Sequence, residues 1–188
     1  MKKSTILILI VYLFALASCK KHSSAPAIVG IWAFTNVSGT SAYNLSSSTG
    51  ASTTYSYNSD SKIITESTWY PAFSSTSVST VQLTTEVWTL NGDGTFSINE
   101  VYINSPGSGN GPDTANSSGT WAYSSKADNG IILSGGSSYI LTHITDTNEY
   151  TLQTLNSSTL ELAAAYTTVN VLGDTQNTNV ALTFTRQE

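Results

Sequence analysis

His143 is the only histidine beyond residue 22, and a search for catalysis begins with it. A Ser-His-acid site needs an imidazole oriented by a carboxylate and placed beside a hydroxyl. His143 sits between Thr142 and Ile144 in a stretch of alternating apolar residues, and no Gly-x-Ser-x-Gly elbow precedes a helix. Ser and Thr are so abundant that a hydroxyl near His143 would mean little, and the residue reads as structural or surface. Asn91-Gly92-Asp93-Gly94 has the look of a calcium loop but lacks the later ligands, so it reads as a turn. The glycines of 107–111 come without the lysine of a phosphate loop and open no helix. The paired carboxylates of a glycosidase are not identifiable from spacing. No catalytic residue, metal ligand or cofactor site is assigned, and enzyme activity is not expected. The remaining reactive group is Cys19, and one cysteine excludes an internal disulfide framework or a Cys-rich metal site.

Cys19 ends an export signal. Met1-Lys2-Lys3 is a basic start, residues 6–16 form an uncharged apolar run, and the small Ala17 and Ser18 follow. The run is too short to span a hydrocarbon layer of roughly 30 Å, so it reads as a signal peptide rather than an anchor. Leu16-Ala17-Ser18-Cys19 resembles the lipobox of bacterial lipoproteins. That resemblance implies cleavage before Cys19, a diacylglycerol on its sulfur and commonly an acyl chain on the new amine. One buried chain holds a protein only marginally, at about 0.8 kcal/mol per CH₂, so anchoring needs at least two. The partners implied are a membrane through acylated Cys19 and, within the envelope, another protein component. Lys20 follows Cys19, with no Asp there and no acidic run, and by resemblance to lipoprotein sorting signals this implies outer-membrane delivery, periplasmic or surface face undetermined. The organisation read from sequence is therefore 1–18 signal peptide, 19–26 flexible tether with His22 in it, and 27–188 one globular domain.

Ser and Thr supply 28 and 27 of the 170 residues from Cys19 onward, but the four Trp and nine Tyr among them argue against a disordered stalk. Beyond His22 stand three basic residues, Lys62, Lys126 and Arg186, against 12 acids, which excludes a nucleic-acid partner.

The domain reads as strands throughout, with apolar residues at period two between Gly, Asn, Asp and Ser clusters. Strands are expected over 27–38, 62–70, 83–90, 95–103, 119–125, 131–134, 139–145, 150–155, 160–168 and around 180–184. Residues 39–60 read as a long loop or ragged hairpin, 74–80 as a polar patch and 105–116 as a flexible connection. Asn91–Gly94 is a strong hairpin turn. After Phe96 and Ile98 the apolar phase slips to Val101 and Ile103, which a bulge near Asn99-Glu100 would explain. The run 160–165 is helix-tempted but reads as strand. Nine or ten strands in short hairpins protect their edges best by closing. The fold class expected is an all-β, up-and-down antiparallel barrel, with a β-sandwich as the alternative. Outward Thr, Ser, Asn and Glu fit a membrane-spanning barrel poorly.

Gly30-Ile31-Trp32 and the lone arginine, Arg186, resemble the signature of lipocalins and lipocalin-like bacterial lipoproteins. Trp88–Phe96, containing Asp93-Gly94-Thr95-Phe96, and Gly119-Thr120-Trp121 are similar to the central pattern of those domains. The resemblance implies that Trp32 closes one barrel end and that Arg186 stacks across it, with Gly30 beside them. It also implies a small apolar or amphipathic ligand. Trp69, Trp88, Trp121, Tyr123 and Tyr139, with Tyr70, are the candidate cavity lining. The alternative is a filled barrel acting as a structural or interaction lipoprotein. Eight-stranded barrels are either just packed or just roomy enough for one ligand, and sequence does not decide between them.

Overall fold

The computed structural model describes residues 27–44, 50–107, 109, 111–125, 129–145, 147–169 and 174–188, so Cys19, the signal and the tether lie outside the described residues. Ten strands follow one another as β1 (Gly30–Asn44), β2 (Ser52–Asn58), β3 (Ile63–Tyr70), β4 (Ser75–Leu90) and β5 (Thr95–Asn104), then β6 (Asp113–Tyr123), β7 (Gly130–Gly135), β8 (Glu149–Leu155), β9 (Thr159–Val169) and β10 (Thr175–Arg186). Each pairs antiparallel with the next, and β10 returns to β1, so the sheet closes into a barrel rather than a sandwich. This closed meander agrees with the lipocalin-like barrel expected.

The wall changes width along its length. Gly30–Ala33 of β1 pair with β4, whereas Ser38–Ala42 pair with β2. At the Trp32 level the β2–β3 hairpin is therefore left out of the wall, and eight of the ten strands enclose the core. Beyond it the β2–β3 hairpin is inserted between β1 and β4, while β7 and β8 pair only over Gly130–Ile132 and Glu149–Thr151. The narrow end is filled by Trp32, Trp88, Leu90, Phe96, Ile98 and Phe184, each at most 2% exposed. Trp88 packs on Phe184 at 4.7 Å between ring centroids, and Phe34 meets Phe184 edge-on at 5.8 Å.

Several expectations need correction. Residues 39–60 hold the second half of β1 and all of β2. The backbone ladder from Ser38–Ala42 to Ser52–Ser56 sustains strands there, although large apolar residues are few. The polar patch 74–80 is the first half of β4, and 113–118 are strand β6. The irregularity of the β4–β5 ladder lies on β4 between Leu83 and Thr85, not at Asn99-Glu100. β5 keeps its parity, and Glu100 takes the inward place where an apolar residue was expected.

The largest correction is 139–145. Ile140–Thr145 form a single π-helical turn, not a strand. Gly135 and Gly136, at φ 79° and 77°, turn the chain out of β7, and a Cβ on Gly136 would meet the Phe96 ring at 2.8 Å. Ser138 then caps the turn: its carbonyl accepts from Thr142 N at 3.0 Å and its hydroxyl from Leu141 N at 3.2 Å. Ile140 and Ile144, at 0% and 2% exposure, drive one side of the turn into the core. Four residues apart, they share a face at period two and at helical period alike. Residues 160–165 are strand, as expected.

Candidate functional site

Two clusters use the interior. The first is at the narrow end, where β1 and β10 register Trp32 opposite Arg186. The Arg186 Cζ lies 5.1 Å from the Trp32 ring centroid. Its Nη2 donates to Val29 O at 2.5 Å, and Trp32 Nε1 donates to Ile28 O at 2.7 Å. A Cβ at Gly30 would come within 2.7 Å of Arg186 Nη2, so the glycine makes room for the guanidinium. The indole N–H and one guanidinium nitrogen thereby find backbone acceptors while the indole stays buried. The three residues named for closure are thus in mutual contact.

The second cluster went unread in the sequence. Glu86 on β4 pairs with Glu100 on β5, and both carboxyls lie inside the barrel at 4% and 0% exposure. Opposed residues of such a ladder have Cβ atoms roughly 5 Å apart. Trp88 Nε1 donates to Glu86 Oε1. Tyr139 N donates to both Glu100 oxygens, at 3.0 and 2.9 Å. Glu86 Oε2 is buried and within hydrogen-bond geometry of no partner, although Glu100 and Ser138 lie close enough to affect its titration.

Burial pushes the Glu86 carboxyl well above the ordinary carboxylate range, and the Glu100 charge pushes it further. Burial also raises Glu100, opposed by the Tyr139 N–H, by Glu86 and by the charge of His143. Of the two, Glu86 is the carboxyl that burial and the neighbouring charge hold longer in the protonated form as pH rises. The signal in the sequence is a glutamate, Glu100, at the parity of Phe96 and Ile98.

Over this pair lies the π-helical turn, tied to opposite walls. On one side the Tyr139 hydroxyl donates to Glu66 Oε1 of β3 at 2.7 Å. On the other, Thr145 Oγ1 and Tyr150 OH are 2.7 Å apart, and Tyr166 OH donates to Thr145 O at 2.7 Å. Burial raises both Tyr139 and Tyr150, so both hydroxyls stay protonated and can donate. The turn thus spans the wide half of the barrel as a plug. His143 stands exposed on its outer face, stacked on the Tyr139 ring at 4.7 Å and 10°, with Nδ1 2.8 Å from Thr142 Oγ1.

The candidate cavity residues are dispersed. Trp88 is in the core, Tyr139 starts the plug, and Trp69 and Tyr123 are 41% and 59% exposed. Trp121 is half-buried, with Nε1 donating to Asn91 O at 2.9 Å and its ring edge-on to Tyr123. A cleft of about 430 Å³ lies beside the plug, between Leu133, Gly135, Gly136, Leu141, Thr142 and Thr147 among others. A second, of about 210 Å³, lies along Tyr150, Ala163, Ala165 and Tyr166. Neither is lined by the candidate residues. Among the described residues, no group of three or more His, Cys, Asp or Glu is placed to hold a metal ion, and no helix is long and apolar enough to cross a membrane.

Set against known protein families, curated proteins and solved structures, the chain has no match.

Proposed function

We propose that the chain is a non-catalytic, lipid-anchored lipoprotein of the cell envelope, held at the outer membrane by acylated Cys19, that works through its outer surface. The observation that carries this reading is the filled interior. Aromatic side chains pack the narrow end, the carboxyl pair occupies the middle, and the plug crosses the wide half. A ligand-carrying barrel would instead keep a continuous apolar space open to one end. The Cys19 lipobox and its short tether support the anchor.

A second reading, a small-ligand binding module, draws on one observation. Glu86 Oε2 is a buried polar atom without a hydrogen-bond partner, a place where a ligand's hydrogen-bonding group would gain by binding. Binding there requires the plug to swing out, and a small amphipathic molecule with a polar hydrogen-bonding end is the class that fits.

Native mass spectrometry of the gently extracted, full-length mature protein separates the two. The first reading expects the mass of the acylated chain alone. A retained small molecule, released when Glu86 is changed to Gln, would overturn it in favour of the second.

A further inference from the structure

The β3–β4 hairpin ends in an aromatic tip at the end of the barrel away from Trp32. Trp69 pairs with Thr76 and Tyr70 with Ser75, and a 3₁₀ turn, Pro71–Phe73, joins the strands. Exposure is 41% for Trp69, 38% for Tyr70, 78% for Phe73 and 61% for Val78. Trp69 and Val78 are diagonal neighbours on the outer face, since Ser67 is the partner of Val78. No charged residue occurs from Ser67 through Thr85, in a domain whose formal charge is otherwise negative. The ladder continues to its last pair, and Ser74 N donates to Pro71 O at 3.2 Å, so the tip's backbone is largely paired within the hairpin. Aromatic and small hydroxyl side chains on a self-paired, uncharged backbone are the composition that the headgroup layer of a bilayer accepts. A sugar platform would set Asp, Asn, Gln or Arg beside the rings, and residues 67–78 contain none of them.

The position of the chain's start points the same way. β4 carries the tip at one end and pairs Leu90 with Gly30 at the other. The chain therefore enters the barrel along the wall that carries the tip. β4 has 16 residues and spans about 50 Å. The stretch from Cys19 to Ile28 can reach about 30 Å when extended. That is enough for the barrel to lie along the bilayer that holds the anchor, and too little to raise an upright barrel and let its far tip return.

We propose that the β3–β4 tip is a membrane-contact element that seats Trp69, Tyr70 and Phe73 in the headgroup layer of the bilayer holding acylated Cys19. Identifying that bilayer rests on the lipid-anchor reading; the affinity of the tip for lipid does not. The two parts are tested separately by using the mature chain with Cys19→Ser, which has no acyl group. Phosphatidylcholine vesicles, with and without acyl-chain bromination, are the probe. Co-sedimentation is expected, with bromine quenching of an emission component that Trp69→Phe removes. The Trp69→Ser/Phe73→Ser variant should bind about tenfold more weakly or worse. Phe73→Ser alone, at the most exposed of these positions, guards against a folding defect and should weaken binding in the same direction. Binding unchanged in these variants, or absent from the parent, would overturn the proposal. So would lipid-independent dimerisation through the tip, which would make a second copy the occupant. If native Cys19 proved unacylated while the Cys19→Ser chain bound vesicles through the tip, the anchor reading would fail and the tip's lipid contact would stand.

Discussion

Glu86 and Glu100 stand opposite each other on β4 and β5 with both carboxyls sealed inside the barrel. Burial penalises the charged form of each and raises both, Glu86 well above the ordinary carboxylate range because the Glu100 charge adds to its burial. A folded-state value above the unfolded one means that the folded chain binds more protons in the window between them. Stability from this pair is therefore greatest at and below the unfolded carboxylate value, and falls as pH rises toward the folded one. Each retained proton changes stability by up to about 1.4 kcal/mol per pH unit. Glu86→Gln keeps an oxygen to accept from Trp88 Nε1 and removes the titrating group. Thermal melts from about pH 5 to 8 should show a falling Tm in the parent and a flatter profile in Glu86→Gln, with the variant the more stable at the alkaline end. Parallel profiles would mean that the pair is not the source of the slope.

The stack of Arg186 on Trp32 predicts two very different costs. Trp32 is 0% exposed at the centre of the narrow end. Truncation to Ala leaves a cavity and should destabilise by roughly 3–5 kcal/mol in urea unfolding. Arg186→Met keeps the stem and loses the guanidinium, with its donation to Val29 O and its place over the indole. That side chain is only half-buried, so a loss of about 1 kcal/mol is expected. Equal costs for the two variants would contradict a lid whose main task is to shield the indole.

The closure of the barrel was legible because period-two alternation and the Asn91–Gly94 turn are local signals. The pairing of Trp32 with Arg186 came from a resemblance at two chain ends rather than from periodicity. What escaped had physical reasons. Glu100 broke the apolar parity of β5 because it answers to a partner on β4 and to the Tyr139 N–H, neither of them adjacent in sequence. Ile140 and Ile144 satisfy both periods at once, so only Gly135-Gly136 and the Ser138 cap could have revealed the turn. Trp69 and Tyr123 carry the composition of a core but occupy wall positions that face solvent. Side-chain type alone does not report which way a strand residue points.

The plug is held at one side by Tyr139 OH on Glu66, and that bond spans elements 73 residues apart. Tyr139→Phe removes the donor while keeping the ring that stacks on His143. The segment around 139–145 should then exchange its backbone amides faster, by roughly three- to tenfold for one lost charge-assisted bond that is partly solvent-compensated. The strands at the narrow end should keep their protection. Uniform acceleration across the barrel would show that Tyr139 supports the whole fold rather than the plug.

The anchor makes a prediction independent of the barrel. Cys19 has a thiol that no second cysteine can claim, and it directly follows Leu16-Ala17-Ser18 at the end of an apolar run. Ser in its place offers a hydroxyl, far less nucleophilic than a thiolate at neutral pH, so transfer of the diacylglycerol to this side chain cannot proceed. Cells fed labelled palmitate should label the parent chain and not Cys19→Ser. The variant should also leave the membrane pellet for the soluble fraction after carbonate washing, because tip contact by a few side chains is reversible while two or more acyl chains are not. Persistence of the variant in the washed pellet would mean that something other than Cys19 holds the protein. Failure of the parent to label would mean that Leu16–Cys19 is not a lipid-attachment site.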